Sequence, residues 1–301
     1  MQYTNNSDKI TRDYFDSLLL ETRYVDSCLP SVKMELFGMT FDTPIMTTAL
    51  SHLHSKIVVG DNCVQDGMTV YAEAAKRVNT LHWVGMGSDE ELESIVATGA
   101  KCIKIIKPHA DNAEVFRRIE HAVKTGCVAV GMDIDHAFNS NGGYDNVFGL
   151  EMRPKTTAEL SEFVKAAGVP FVAKGVLSVQ DAVKCVEAGC AGILVSHHHG
   201  MIQYAVPPLM MLEEIVKVVG DQVAVFVDCG IESGMDAYKC MALGAKAVGV
   251  GRHLMPLLKK GPEAVAARMQ QMTEEMMGVM ARTGVKDLEH MDPTVIHKRM
   301  F

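Results

Sequence analysis

Short apolar runs rich in Val and Ile recur along this chain, separated by longer stretches in which apolar positions return every three or four residues. The runs are "TPIMTTAL" (43–50), "LHWVGMG" (81–87), "KCIKIIK" (101–107), "CVAVGMDID" (127–135), "PFVAKGV" (170–176), "GILVSH" (192–197), "VAVFVDCGI" (223–231) and "AVGVGR" (247–252). Runs this short and continuously apolar predict parallel strands buried on both faces, and the intervening 3.6-residue periodicity predicts crossover helices. Several helix patterns, such as "SDEELESIVATGA", "TTAELSEFVKAAG" and "SVQDAVKCVEAGC", open on a Ser or Thr cap and close on Gly. This strand count, with helices between, predicts a closed (β/α)8 TIM barrel, which takes ~8 strands and ~250 residues. A doubly wound open sheet would carry a Gly-x-Gly-x-x-Gly turn after its first strand, and none is present.

Three segments lie outside the repeat. Residues 1–29 are expected to be a helical N-terminal segment of a single domain spanning 1–301. The connection "HAFNSNGGYDNVFGLEMRPK" (136–155) is long and rich in Asn and Gly, so it is a candidate active-site loop and lid. In "EAVAARMQQMTEEMMGVMARTG" the Met and Ala positions form one apolar stripe, suited to core or subunit packing.

Composition narrows the partners. A hydrophobic content of 48% in 301 residues suffices for one large core, and the net charge of -8 comes without any basic stripe. Nucleic-acid binding is therefore not expected, and a small-molecule substrate is. Eight cysteines lack Cys-x-x-Cys spacing and sit mostly in apolar runs, which suits reduced thiols. With no basic-then-apolar leader and no run long enough to cross a bilayer, a cytoplasmic protein without membrane contact is expected.

The C-terminal ends of barrel strands converge on one mouth, and here those ends are polar: Thr47 and Thr48, Ser88, Lys104 and Lys107, Asp133 and Asp135, Lys174, His197–His199, Asp228 with Gly230, and Gly251 with Arg252. "DCGIESG" and "GVGRH" at the last two ends have the glycines and the arginine of a phosphate cradle. The triplet His197, His198, His199 offers a general base. A metal reading is the alternative, with His52, His54, His136 and the triplet facing Asp133 and Asp135. Adjacent histidines at a strand end point in different directions, so no more than two of the three would share an ion. No metal is expected, and "SHLHSK" (51–56) reads as a polar loop.

Four stretches carry a resemblance: "DYFDSLLLETRYVDSCLPSVKMELFGMTFDTPIMTTAL", "VAKGVLSVQDAVKCVEAGCAGILVSHHHG", "VFVDCGIESGMDAYKCMALGAKAVGVGR" and "MMGVMARTGVKDL". In order and spacing the chain resembles the FMN-dependent α-hydroxy acid oxidases and dehydrogenases, the group of lactate oxidase and glycolate oxidase. The resemblance implies that FMN is the cofactor, that Thr47, Thr48, Ala49 and Ser88 flank the flavin ring, and that Lys174 faces its N1 and C2 oxygen side. It also implies that Asp228, Gly230, Gly251 and Arg252 hold the phosphate end, with Lys104 and Asp133 beside the cofactor, and that the protein is a homo-oligomer, a tetramer being common in the family. A lysine beside the pyrimidine ring stabilises the negative charge that a flavin gains on reduction.

Where the family reads Ser-Asn-His-Gly-Gly-Arg-Gln, with the histidine as base and the arginine on the substrate carboxylate, an ungapped match places the base at His198 and Met201 at the arginine. One inserted residue moves the base to His199 and restores the glutamine at Gln203, still without an arginine. Asp135 stands at the aspartate that pairs with the base, and Asp133 replaces a threonine. Glu232 stands at a second family arginine, Lys104 at a glutamine and Ile106 at a tyrosine. The expectation is an oxidoreductase with a His–Asp base whose substrate is not a simple 2-hydroxy acid, with Trp83 and Phe138 as pocket candidates. An FMN-dependent isomerase or lyase, a metal-assisted enzyme and a non-catalytic flavoprotein are the alternatives.

Overall fold

The computed structural model of the chain describes residues 6–50, 56–59 and 63–299. Eight parallel strands form one sheet: β1 (Ile45–Thr47), β2 (Leu81–Val84), β3 (Lys101–Ile106), β4 (Ala129–Asp133), β5 (Phe171–Val176), β6 (Gly192–Val195), β7 (Ala224–Val227) and β8 (Ala247–Val250). Each lies beside its neighbour in sequence, and β8 returns to β1 with Val248 opposite Ile45 and Val250 opposite Thr47. Between β1 and β2 the ring closes through the bridge Leu50–Val84 and through Thr47, whose hydroxyl accepts from the Trp83 amide at 3.1 Å. All eight strands fall inside the expected runs, and the barrel is the expected one.

Around it run α1 (Asn6–Ser17), α2 (Gly67–Arg77), α3 (Asp89–Ala97), α4 (Asn112–Thr125), α5 (Thr157–Ala167), α6 (Val179–Glu187), α7 (Pro208–Val219), α8 (Gly234–Ala242) and α9 (Pro262–Arg282). The caps are largely those legible in the sequence. Thr156 and Glu159 form a capping box, Ser88, Ser178 and Ser233 cap α3, α6 and α8, and Gly126 and Gly168 close α4 and α5 in the left-handed region.

Strand parity divides the core in two. Met46, Leu81, Trp83, Ile103, Ile105, Val172, Leu194 and Phe226 fill the barrel interior, while Cys102, Ile106, Val130, Ala173 and Val195 face the helices. Trp83, a pocket candidate by sequence, is instead core: it stacks edge-on against Phe226 with centroids 5.5 Å apart. The Met stripe of α9 is likewise spent within the chain, with Met269, Met272, Met276 and Met280 fully buried.

The N-terminal segment departs from expectation. Only Asn6–Ser17 is helical; Leu18–Leu20 pairs antiparallel with Ile296–Lys298, because a buried Leu18 and an open strand edge there outweigh helix propensity. The 136–155 connection is folded on itself. Asn146–Val147 pairs with Leu150–Glu151, Phe138 stacks on Tyr144, and the Arg153 guanidinium lies 4.4 Å over the Tyr144 ring. Of "SHLHSK", residues 51–55 with His52 and His54 lie outside the described residues.

Candidate active site

The ends of β3, β4 and β5 place Lys107, Asp133 and Lys174 side by side, since Asp133 is in register with Lys174 and Lys107 follows the strand paired to β4. Lys174 Nζ donates to Asp133 Oδ1 at 2.6 Å and Lys107 Nζ donates to Oδ2 at 2.8 Å, with all three side chains buried. Burial alone would raise the Asp133 carboxyl, but the two ammoniums and His198 outweigh it and hold the group well below the usual carboxylate range. The same exchange works on Lys174: burial would lower its ammonium, and Asp133, Asp135 and Asp228 raise it instead.

The histidine triplet is sent three ways. His197 turns under α1, where Gly200 N–H donates to its Nδ1 at 3.1 Å, which leaves the proton on Nε2, 2.8 Å from Thr11 Oγ1. His198 turns into the mouth, its Nδ1 3.2 Å from both oxygens of Asp135 and 3.2 Å from Lys174 Nζ. His199 turns toward the last two strand ends, and burial pushes its imidazole down to about 4. This fan requires two successive residues in the left-handed region, His198 at φ 49° and His199 at φ 60°, a conformation costly for side-chain-bearing residues and concentrated at functional sites. His198 is thus the member of the triplet that meets Asp135.

Asp135 reaches His198 over Gly175. A Cβ built on Gly175, which sits at φ 89° beside a register shift in β5, would lie 2.3 Å from the Asp135 carboxyl carbon. His136, next in sequence, pairs its Nδ1 with Asp145 at 3.1 Å and packs edge-on against the His198 ring, centroids 4.7 Å apart. The long loop is thereby tied to the mouth.

On the opposite side Thr48 Oγ1 donates to Asp228 Oδ2 at 2.8 Å. A narrow cleft of about 40 Å³ opens there among Thr48, His199, Asp228, Gly230, Gly251 and Arg252. Cys229 and Gly230 are both at positive φ, 71° and 75°, and a Cβ on Gly251 would stand 2.6 Å from Thr48 Cγ2, so a side chain at Gly251 would collide with the neighbouring strand end. The Arg252 fork is held from the far side by Asp8 of α1, at 2.7 and 2.6 Å.

Other expected site residues lie elsewhere. Thr47 points into the barrel wall, with its hydroxyl 2.9 Å from His82 Nδ1. Lys104 shares the outward parity of Cys102 and Ile106; its Nζ donates to Gly85 O at 2.5 Å, and burial lowers its pKa to about 8. The inward positions at the end of β3 are thus Ile105 and Lys107, not Lys104 and Ile106. Ser88 is exposed at the cap of α3 and borders a separate cavity of about 620 Å³ with Thr69, Arg118, Phe148 and Leu150. Ala49 is half-buried against the interior cluster. Phe138 is half-exposed on the long loop. Lys107, a strand-end candidate by sequence to which the resemblance assigns no role, is the lysine that enters the mouth, and its parity with Ile103 and Ile105 is the signal that marks it.

Asp133, Asp135 and His198 bring potential ligand atoms within 4.8 Å of one another. Both oxygens of Asp133 already accept from ammonium groups, so a cation there would have to displace two positive charges. The strand ends thus offer a fixed ammonium at Lys174 and, at β7 and β8, a small cleft where glycine turns lie beside Arg252. A parallel barrel with a buried lysine, glycine turns and a His–Asp pair at its strand ends has the parts that the resemblance to FMN-dependent oxidases implies.

The comparisons agree. A family model described as FMN-dependent dehydrogenase matches residues 3–162 and 152–298. A peroxisomal (S)-2-hydroxyacid oxidase of Arabidopsis thaliana is 29% identical over 262 residues, 74% of this chain and 71% of that one. An L-lactate oxidase of Nostoc sp. is 30% identical over 217 residues, 68% of this chain and 59% of that one. The match to 4-hydroxymandelate oxidase of Amycolatopsis orientalis, 39% identical, spans 46% of this chain and 39% of the relative. A mandelate oxidase variant solved with a monooxide FMN adduct superposes with a TM-score of 0.84 at 27% identity, covering 98% of this chain and 91% of that one. The chain belongs to the FMN-dependent dehydrogenase family, and its cofactor is FMN. Among the described residues no helix is long and apolar enough to cross a membrane.

Proposed function

We propose that this chain, as one FMN-binding domain over residues 1–301, oxidises the CH–OH group of a small hydroxyl-bearing molecule, with His198 as base. The contact of His198 Nδ1 with both oxygens of Asp135 carries this reading. With Nδ1 turned to a carboxylate, Nε2 is the atom that takes the proton from the substrate hydroxyl, and Asp135 stabilises the imidazolium that results. Lys174 supplies fixed positive charge at the mouth, while Thr48, Asp228, Gly230, Gly251 and Arg252 hold the cofactor's ribityl and phosphate end. Bound FMN supplies the two-electron acceptor.

The substrate differs from a simple 2-hydroxy acid. Met201 stands where an ungapped match places the carboxylate-binding arginine, and its side chain offers no fork to a carboxylate. A bulkier alcohol, a sugar-like or ring compound, or an acid held by another cation fits better. Cys28, Cys102, Cys127, Cys185, Cys190, Cys229 and Cys240 are free thiols, which supports a reducing, cytoplasmic setting. The family resemblance supports a homo-oligomer.

The test is anaerobic mixing of the FMN-loaded protein with a panel of 2-hydroxy acids, polyols and sugars while following the flavin absorbance. Bleaching by a polyol or sugar, and not by lactate or glycolate, is expected. Bleaching by simple 2-hydroxy acids alone would overturn the substrate assignment. A bound flavin that none of the panel bleaches, with turnover in the absence of an acceptor, would replace oxidation with an isomerase or lyase reaction.

A further inference from the structure

Three neighbouring strand ends present Lys107, Asp133 and Lys174 in a row, each side chain at most 5% exposed. The family resemblance assigns a charge to Lys174, sets Asp133 beside the cofactor without a stated role, and has no place for Lys107. Asp133 replaces a threonine, and Lys107 reaches the mouth only because β3 alternates with Ile103 and Ile105 inward. The Asp133 carboxylate bridges both ammoniums, one on each oxygen. Buried charges interact in a medium of low effective dielectric, so each member of the row is felt by whatever Lys174 faces. As a unit the row carries one net positive charge; without Asp133 it would carry two, and without Lys107 none.

We propose that Asp133 and Lys107 are a charge-setting pair for the bound FMN, acting through Lys174, Asp133 lowering the cofactor's reduction potential and Lys107 raising it. The inference rests on the reading that Lys174 faces the flavin. Reduction places negative charge on the flavin ring, so added positive charge nearby favours the reduced form and its removal favours the oxidised form. Asp133 and Lys107 are positioning residues in this scheme, since neither is required to touch substrate.

The experiment measures the midpoint potential of the FMN-loaded protein against a reference dye at neutral pH, for the wild type, Asp133→Asn, Lys107→Met, the double variant and Lys174→Met. Asp133→Asn is expected to shift the two-electron equilibrium about tenfold toward reduced flavin, about 30 mV upward. Lys107→Met should shift it about tenfold the other way, and the double variant, again with one net charge, should return near the wild type. Single variants that move in the same direction, or by less than twofold, overturn the pair's role. If Lys174→Met moves the potential while Asp133→Asn and Lys107→Met do not, the pair fails and the placement of Lys174 stands. If Lys174→Met leaves the potential unmoved as well, that placement fails too. Should Asp133→Asn not retain FMN, Lys107→Met and the double variant decide: a downward shift reversed in the double supports the pair, and anything else refutes it.

Discussion

Lys104 and Lys107 lie three residues apart at the end of one strand, and both are buried, yet they belong to different regions of the molecule. Lys107 continues the inward row of Ile103 and Ile105 and meets a carboxylate at 2.8 Å inside the mouth. Lys104 continues the outward row, rests on the Gly85 carbonyl between barrel and helices, and is pushed down to about 8 by burial. The same division separates Thr48, bonded to Asp228, from Thr47, bonded to His82 in the wall. A polar residue at a barrel strand end is therefore a site residue only when its parity turns it inward.

Substitutions on the two sides of the wall should behave differently. The largest effect is expected in the mouth: His198→Asn should lower kcat by a factor of about 100 to 10,000 with little change in Tm, because a general base is lost and no core contact is. Stopped-flow reduction of the flavin checks it, and an unchanged rate would remove His198 from catalysis. Asp133→Ala should destabilise the fold by about 3 to 5 kcal/mol in a denaturant titration, since it leaves two buried ammoniums without their shared carboxylate.

On the wall side the sign reverses. Lys104→Met should raise stability at pH 7 by about 1 to 3 kcal/mol, because it removes a buried ammonium that rests on a single carbonyl. Relative to Lys104→Met, the wild type should gain stability between pH 8 and about 10, since in that window unfolded lysine, at ~10.4, holds a proton that folded Lys104 has released, while the buried thiols titrate alike in both proteins. A melting series that is flat across this window in the wild type and in Lys104→Met alike would contradict the wall assignment.

A smaller, graded effect is expected in acid. Burial holds His82 down to about 3, and His109 and His199 to about 4, whereas unfolded histidine titrates near ~6.5. Their folded values lie below the unfolded one, so stability is full above ~6.5 and falls as the pH drops toward 4, with up to three protons taken up on unfolding. His82→Phe should reduce that slope by one proton in unfolding titrations; an unaltered slope would mean that His82 is charged in the folded state.

The sequence by itself determined the barrel and most of its caps, because a buried parallel strand needs a short continuous apolar run and a crossover helix needs its own period and terminal signals. It also determined, through motif order, that Asp135, Lys174, Asp228, Gly230 and Gly251 stand at the mouth. Only the tertiary structure decided which lysine of β3 enters the site, which histidine of the triplet meets Asp135, and that Asp8 closes on Arg252 from a helix more than two hundred residues away. Composition is blind to parity when a strand is apolar on both faces, and the direction of each histidine is set by left-handed backbone at His198 and His199 that no side-chain pattern announces. Leu18–Leu20 became a strand for the same kind of reason, since its partner at Ile296–Lys298 is supplied by the other end of the chain.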